Sequence, residues 1–572
     1  MSAADPFEQG HGMARSGDEA PLSPQSSILS PRLGLVVEGS LVEGLRARLD
    51  ANSSVEDMRV GRFVRIAGEK HDFFCLVTDV RLSATSNDVL ADPPAPEEGF
   101  LRQVLAGTAA YGEIAIQPML MLSRESQAEQ EGPRPPRTVP IHFSSVVAAD
   151  EGDFERVFGK EDDFHFELGR PREMEVPVVL DLPRFVERSN GVFGKSGTGK
   201  SFLTRLLLCG VIKSGVATNL IFDMHSEYGW ASQSESGELV RGLRQLFPST
   251  KVVVYTLDPD STRQRVVKPD GQISIGLNEI EVEDVALLQE ELRLNPTAVE
   301  SASLCENEFR SDWIEKLTAD DMDVADLVKR TGAHAESLAA LRRKLIAHIT
   351  SLKFVKRNVS EASSGLDKLI ADLERGRHVV LEFGQHRRLL PYMLVANVIT
   401  RRIHRIWTEK VERHKQRQDG TPPPGQLMIT IEEAHKFLNP RAAAQTIFGT
   451  IAREMRKYNV TLLVVDQRPS GIDDEVLSQI GTRITCQLSD DKDIEAIFTG
   501  VSGAGHLRAV LATLDSRQEA IILGHAVPMP LPLRIRPYDE EFYSSLGPWA
   551  DDPGLAIARA SRTYEQLFPA DE

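Results

Sequence analysis

The sequence predicts an α/β fold with a mainly parallel sheet, preceded by a small N-terminal β-barrel and interrupted by a helical insertion. Three observations lead there. From Val178 onward, apolar β-branched runs alternate with helical segments; these runs are continuously apolar; and before them, from Leu33 to Val147, short strand-like runs are separated by turn-rich stretches. Continuous hydrophobicity fits strands covered by helices on both faces, which is the setting of parallel sheets. Short runs with frequent turn signals fit a small barrel.

The chain has 572 residues, 41% hydrophobic and 26% charged, a folded rather than disordered balance with room for two to four domains. Its net charge of -18 argues against a protein coated in basic surface. Charge in a narrow passage is set by the groups lining it, so a basic channel inside an acidic assembly stays open. Cys75, Cys209, Cys305 and Cys486 are scattered singly, with neither zinc-type pairing nor a disulfide framework. Apolar runs fall short of the roughly 20 residues that cross a bilayer, and the first residues lack the apolar centre of a signal peptide. A cytoplasmic protein with no membrane association is expected.

Along the chain, residues 1–28, rich in Ser, Pro, Gly and acids, are expected to be disordered. Residues 29–150 hold the barrel runs LGLVVEG, RFVRIAG, FFCLVTDV, YGEIAIQPMLML and TVPIHF. Residues 151–277 form the first part of the α/β core, with the strands NGVFG, TNLIFDM and KVVVYTL. Between 278 and 372 the strand signal fades, and VEDVALLQEELRL, DVADLVKR and ESLAALRRKLIAHITSL carry apolar residues at helical spacing. Residues 373–536 complete the core with HVVLEF, QLMITIEE, VTLLVVD, TRITCQL and QEAIILG, and 537–572 read as a helical tail.

Gly194-Lys195-Ser196-Gly197-Thr198-Gly199-Lys200-Ser201 lies between a buried strand and an apolar helix that opens with Phe202. Glycines let backbone N–H groups turn inward around phosphate oxygens, and the following helix presents its positive end to them. Residues 194–202 are therefore the expected binding segment for ATP. Lys200 would reach the β- and γ-phosphates, and the Ser201 hydroxyl would ligate Mg²⁺.

The strand QLMITI ends in Glu432-Glu433-Ala434-His435. Two adjacent acids at the carboxyl end of a buried strand are costly unless a cation meets them. Glu432 is assigned to the metal shell, mostly through water, and Glu433 to polarising the attacking water. Asp223 ends another apolar strand and, with Glu227, can face the same pocket as a metal residue; a helix cap is the alternative. His225 is read as a ligand, a contact to a neighbouring subunit, or a structural residue. Gln467, after VTLLVVD, can hold the lytic water or sense the γ-phosphate. The phosphate turn supplies no arginine to neutralise charge in phosphoryl transfer, so Arg456, then Arg453, and Arg188 are candidate fingers acting on a neighbour's nucleotide. Arg401, Arg402, His404 and Arg405, together with Arg342, Arg343 and Lys344, are candidate DNA-facing charges or solvated helix faces.

In GKSGTGKS, FDMHSEY, IEEAH and AREMRKYNVTLLVVDQRPSGIDDEVLSQIGTRI the chain resembles the HerA/FtsK superfamily, specifically its HerA-like helicase or translocase branch. The resemblance covers most of 175–530. It implies a RecA-like P-loop ATPase core and a HAS-barrel-like N-terminal domain. It further implies a homohexamer that threads double-stranded DNA and hydrolyses ATP at subunit interfaces. A companion is implied too, either a NurA-like nuclease in DNA end processing or, in antiviral defence, an effector such as a sirtuin-like enzyme. A second reading is a hexameric scaffold whose ATPase cycle assembles or gates a phage-defence effector. Two residues depart from the pattern: Glu432 replaces the Asp usual in P-loop ATPases, and Asp466 stands where relatives often carry a small residue before the glutamine.

Overall fold

The structure is a computed structural model that describes residues 31–547, apart from 87–90, 92–93, 96, 98, 125–131, 234–236, 238, 266, 358–364, 387, 417–422, 446, 502–503, 513 and 516–517. Residues 1–28 and 548–572, expected as disordered start and helical tail, lie outside the described residues. Just before that limit, a helix forms at Glu540–Ser545.

Six antiparallel strands close a barrel: β1 (Arg32–Ser40), β2 (Gly44–Leu49), β3 (Phe63–Ala67), β4 (His71–Ala84), β5 (Ala110–Ser123) and β6 (Ser145–Ala148), in the order β1-β2-β5-β4-β3-β6. Alternate side chains point inward, so Val36, Ala47, Ile66, Phe73, Ile114 and Val146 fill the interior. TVPIHF, expected as a strand, is not one. Pro140 lacks a donor and Phe143 adopts φ 66°, so the segment meets β1 only from Phe143 N–H to the Val36 carbonyl, and the regular strand starts at Ser145. β2 was missed because arginines alternate with its inward Leu45, Ala47 and Leu49.

The barrel meets the core through aromatic rings. Phe63 and Phe74 stack at 5.3 Å, and Phe154 meets them edge-on at 5.4 and 5.1 Å. Phe154 belongs to the helix Glu151–Phe158, whose start is fixed by reciprocal bonds between Asp150 and Asp153. These rings merge with the apolar layer under one face of the main sheet.

That sheet has 12 strands. In chain order, β7 (His165–Pro171), β8 (Val178–Asp181), β9 (Asn190–Phe193) and β10 (Thr218–Asp223) come first. A separate ribbon, β11 (Ser232–Gln233) with β12 (Leu239–Val240), precedes β13 (Val252–Thr256) and β14 (Gly271–Gln272). Another short pair, β15 (Ile275–Gly276) with β16 (Val355–Lys356), brackets the inserted helices. The sheet resumes with β17 (His378–Glu382), β18 (Leu427–Glu432), β19 (Val460–Asp466), β20 (Thr482–Cys486), β21 (Glu519–Gly524) and β22 (Leu531–Ile535).

Its spatial order is β14-β13-β17-β10-β18-β19-β9-β20-β21-β22-β7-β8, parallel from β14 to β20 and antiparallel from β20 to β8. The parallel part agrees with the continuous apolar runs. The antiparallel edge did not announce itself, because β22 contains Pro532 and β7 ends in Arg170-Pro171. The consequence for function is that β9 and β10 are not neighbours. β19 and β18 lie between them, so the carboxyl ends of β9, β19, β18 and β10 stand side by side.

The inserted segment carries the helices Val282–Leu287, Pro296–Phe309, Trp313–Thr318, Val324–Thr331 and Ala335–His348, packed around the buried Trp313, whose indole N–H donates to the Ile280 carbonyl at 3.0 Å. Two expectations are corrected here. Arg401 pairs with Glu281 and, at 2.8 Å, with Asp284; Arg402 pairs with Asp367 and, at 2.9 Å, with Glu279; Arg405 reaches Glu281 at 3.0 Å. These arginines bind the helix Leu389–Lys415 to the insertion rather than forming a free basic face. Arg342 likewise donates to the carbonyls of Leu317 and Ala319 at 2.9 and 2.7 Å.

Candidate functional site

β9 delivers the chain into Gly194 at φ 152°, where a Cβ would stand 2.8 Å from both Cys486 Cβ and Thr198 Oγ1. Only glycine fits that bend. The turn is tied to its neighbours by Gly194 N–H to the Asp466 carbonyl at 3.3 Å and Lys195 N–H to the Gln487 carbonyl at 3.1 Å. Inside it, the Thr198 hydroxyl and the Lys200 ammonium both donate to the Lys195 carbonyl at 2.8 Å. The helix Lys200–Ser214 starts here with its amides toward the turn. Burial pulls the Lys200 ammonium below the ordinary lysine value, opposed by nearby Cys486, Glu433, Asp466 and Glu432. The Ser201 hydroxyl has no hydrogen-bond partner among the described residues. Phe202 is 37% exposed, with the Arg205 guanidinium 5.5 Å from its ring centre.

Two strands away, Glu432 is buried. Its Oε1 accepts from the Tyr228 hydroxyl at 2.9 Å, its backbone is held by the Tyr392 hydroxyl at 3.0 and 3.1 Å, and its buried Oε2 has no partner among the described residues. Desolvation, reinforced by Asp223 and Glu227, pushes its carboxyl up to about 8. An orphaned carboxylate oxygen, a free serine hydroxyl and a cradle of amides fit a magnesium-bound triphosphate. A carboxyl whose folded value lies above its unfolded one keeps its proton in the fold. Its stabilising effect is complete below the ordinary carboxylate range and is lost as pH rises to about 8. Between about pH 5 and 8 this group alone lowers stability by up to about 1.4 kcal/mol per pH unit. Glu432→Gln is therefore expected to flatten the pH dependence of the nucleotide-free melting temperature, gaining most near pH 8; an unchanged profile would refute the buried proton.

Asp223, expected in the metal shell, is placed otherwise. Its carboxylate accepts the backbone N–H groups of Glu227 at 2.8 Å, Tyr228 at 2.9 Å and Gly229 at 3.2 Å, and is fully buried. It folds the loop that carries Tyr228 to Glu432, which is a capping rather than a metal role. Asp223→Ala should cost about 3 kcal/mol in chemical unfolding by orphaning three buried donors. His225 lies exposed on this loop.

Glu433 leaves the strand end at φ 49°, partly exposed at 32%, with Gln467 Nε2 donating to its Oε1 at 3.3 Å. The structure thus brings Lys200, Glu432, Glu433 and Gln467 to one sheet edge. The arginines gather elsewhere. Arg188, Arg453 and Arg456 line a cleft of about 390 Å³, together with Ser189, Gly481 and Arg483. That cleft opens at the amino ends of β9 and β20, the sheet edge opposite the phosphate turn. Arg188 precedes Gly194 by six residues of mostly extended chain, about 20 Å, beyond the reach of one side chain.

Each arginine is held differently. Arg456 pairs with Glu187, which also receives His525 Nε2 at 3.0 Å; hydrogen bonding from His525, then Arg456, holds the Glu187 carboxyl below the usual range. Arg453 donates to the Ala443 carbonyl at 2.7 Å. Arg188 Nε is buried without an acceptor, while its backbone is fixed by Asn190, whose side chain binds the carbonyls of Phe185 and, at 2.8 Å, Arg188. Sequence reasoning missed Arg483, Asn190, Tyr228 and Tyr392, all of whose roles depend on distant partners. It also missed His435 as a site residue, although His435 lies two positions after Glu433.

A phosphate turn with its lysine, faced across adjacent parallel strands by a buried and an exposed glutamate, places this chain among the P-loop ATPases. A profile of the Helicase HerA central domain matches residues 166–403, and one of the HAS barrel domain matches 33–129. The chain is 23% identical over 433 residues to the DNA double-strand break repair helicase HerA of Pyrococcus furiosus, covering 71% of this chain and 75% of that protein. With the protein of the same description from Sulfolobus acidocaldarius it shares 23% over 439 residues, 76% of this chain and 80% of the other. Among solved structures, VirB4 of Thermoanaerobacter pseudethanolicus superposes with a TM-score of 0.43 at 16% identity, over 67% of this chain and all of that one (100%). The chain is thus a P-loop ATPase that joins a HAS barrel domain to a HerA-type central domain and is similar over most of its length to HerA helicases.

Proposed function

We propose that the protein is an ATP-driven translocase of double-stranded DNA that works as a homohexamer, hydrolysing each nucleotide between two subunits. The observation that carries this reading is the separation of its parts: phosphate turn and acids on one sheet edge, the three candidate finger arginines in a cleft on the other. A ring of identical subunits, head to tail, brings one protomer's cleft to the next protomer's nucleotide. The names of the relatives, DNA double-strand break repair helicases, support DNA as the substrate.

In this reading the amides of 197–201 and Lys200 would grip the phosphates, and Ser201 and Glu432 would hold magnesium, which would supply charge neutralisation. Glu433 accepts a hydrogen bond from the attacking water, and Gln467 orients both. An arginine of the neighbouring subunit meets the charge that develops on the transferred group. The Tyr228 hydroxyl, which burial and Glu432 push well above the ordinary tyrosine value, remains a donor and steadies Glu432.

A partner nuclease or effector is part of the proposal. The hairpin β4–β5 and the helix Gly99–Thr108 that joins its strands leave Leu82, Phe100, Leu101 and Val104 in solvent, apolar surface suited to a protein contact. The test is ATP hydrolysis per subunit as a function of protein concentration and duplex DNA, with particle mass measured alongside. Activity should rise as hexamers form and rise again with DNA. Full activity in a monomer, or indifference to DNA with and without a partner, would remove this reading.

A further inference from the structure

Asp466 has an unexpected set of contacts. It ends β19, is 1% exposed, and its two oxygens serve three donors. Oδ2 accepts from the His435 backbone N–H at 2.6 Å and lies 2.9 Å from His435 Nδ1; Oδ1 lies 3.1 Å from that nitrogen and accepts from the Arg468 N–H at 2.7 Å. His435 follows Glu433 by two residues and opens the short helix His435–Leu438. Its Nδ1 stands 3.7 Å from Glu433 Oε2.

Glu433 itself occupies the left-handed region at φ 49°, a conformation that a residue with a side chain adopts at a cost of about 1 kcal/mol or more and that persists only where the surroundings impose it. The surroundings here are Asp466. By holding both the backbone and the ring of His435, it pins the residues just beyond Glu433 to the next strand.

We propose that Asp466 and His435 are a positioning pair: the buried carboxylate grips the imidazole and the amide after Glu433, fixes the strained turn, and aims Glu433 at the phosphate edge. The inference rests on Glu433 as the residue that polarises water. Other groups facing the imidazole's neighbourhood are Gln467, 3.3 Å from Glu433 on its far oxygen, and Gly471, whose missing side chain leaves room beside His435 Cβ at 3.2 Å.

The test compares kcat, ATP dissociation constant and melting temperature for Glu433→Gln, His435→Ala and His435→Asn. Asparagine presents an amide N–H where Nδ1 stands, so it can keep the bond to Asp466. His435→Ala should lower kcat by about 10²-fold, the scale of a misplaced reacting group, with nucleotide affinity and melting temperature kept. His435→Asn should recover to within about 3-fold of wild type, and Asp466→Ala combined with His435→Ala should lose no more than the larger single change, as members of one unit do. Wild-type kcat in His435→Ala, equal losses in Ala and Asn, additive losses in the double variant, or a loss explained by weaker ATP binding would each overturn the pair. If those results come with an inactive Glu433→Gln, Glu433 keeps its role and only the pair falls. A fully active Glu433→Gln sinks both.

Discussion

Glu433→Gln will bind ATP as wild type does and turn it over about 10² to 10³ times more slowly. The amide has the shape of the carboxylate and can still meet Gln467, which now lies 3.3 Å away, but it cannot accept a proton from water. Glu432 is the wrong candidate for that task. It is buried, bonded to Tyr228, and its carboxyl is pushed up to about 8, so in the free protein it carries a proton at neutral pH. Glu433, at 32% exposure and facing the same edge as Lys200, is open to water. Single-turnover hydrolysis measured beside binding of a fluorescent ATP analogue separates the two effects. A variant that hydrolyses normally, or that fails to bind, would mean that another group activates the water. Effector function retained in this variant would favour the scaffold reading over the motor.

Arg188→Ala should lose about 10³-fold in turnover and regain part of it when mixed with Lys200→Ala subunits. Under the proposed ring, each variant alone would lack one half of every shared site. In mixed rings, a subunit with an intact phosphate turn can sit against a neighbour with an intact cleft, and only a site shared between subunits behaves this way. Arg188 takes precedence over Arg456, because Arg456 is engaged by Glu187 and Arg453 by the Ala443 carbonyl, whereas Arg188 Nε is buried with no acceptor among the described residues. Among the described residues, the Arg188 side chain is thus the one of the three whose guanidinium has no acceptor to hold it within the subunit. Mixtures no more active than the average of their components would refute the shared site.

Two of the sequence expectations moved once side chains met partners from other strands. Asp223 changed from metal residue to loop cap because its three donors come from the loop that follows it, and no spacing rule distinguishes an acid that meets a cation from one that meets amides. The basic stretch at 401–405 became an internal brace because Glu279, Glu281, Asp284 and Asp367 approach it from the insertion. For Asp223 the sequence left a metal role and a cap both open, and its donors favour the cap; for 401–405 it left a DNA-facing and a solvated face open, and the insertion's acids replace both.

The sequence by itself determined the strand, glycine turn and helix at 190–214, the acids at 432 and 433, and the run of buried strands, because these are set by local backbone freedom and by the periodicity of apolar residues. Only the tertiary structure decided that β18 and β19 slip between β9 and β10, that Asp466 grips His435 from 31 residues away, and that the arginines share a cleft on the far edge. Those facts depend on which distant strands pair, and pairing is chosen by the packing of the whole sheet rather than by any segment of it.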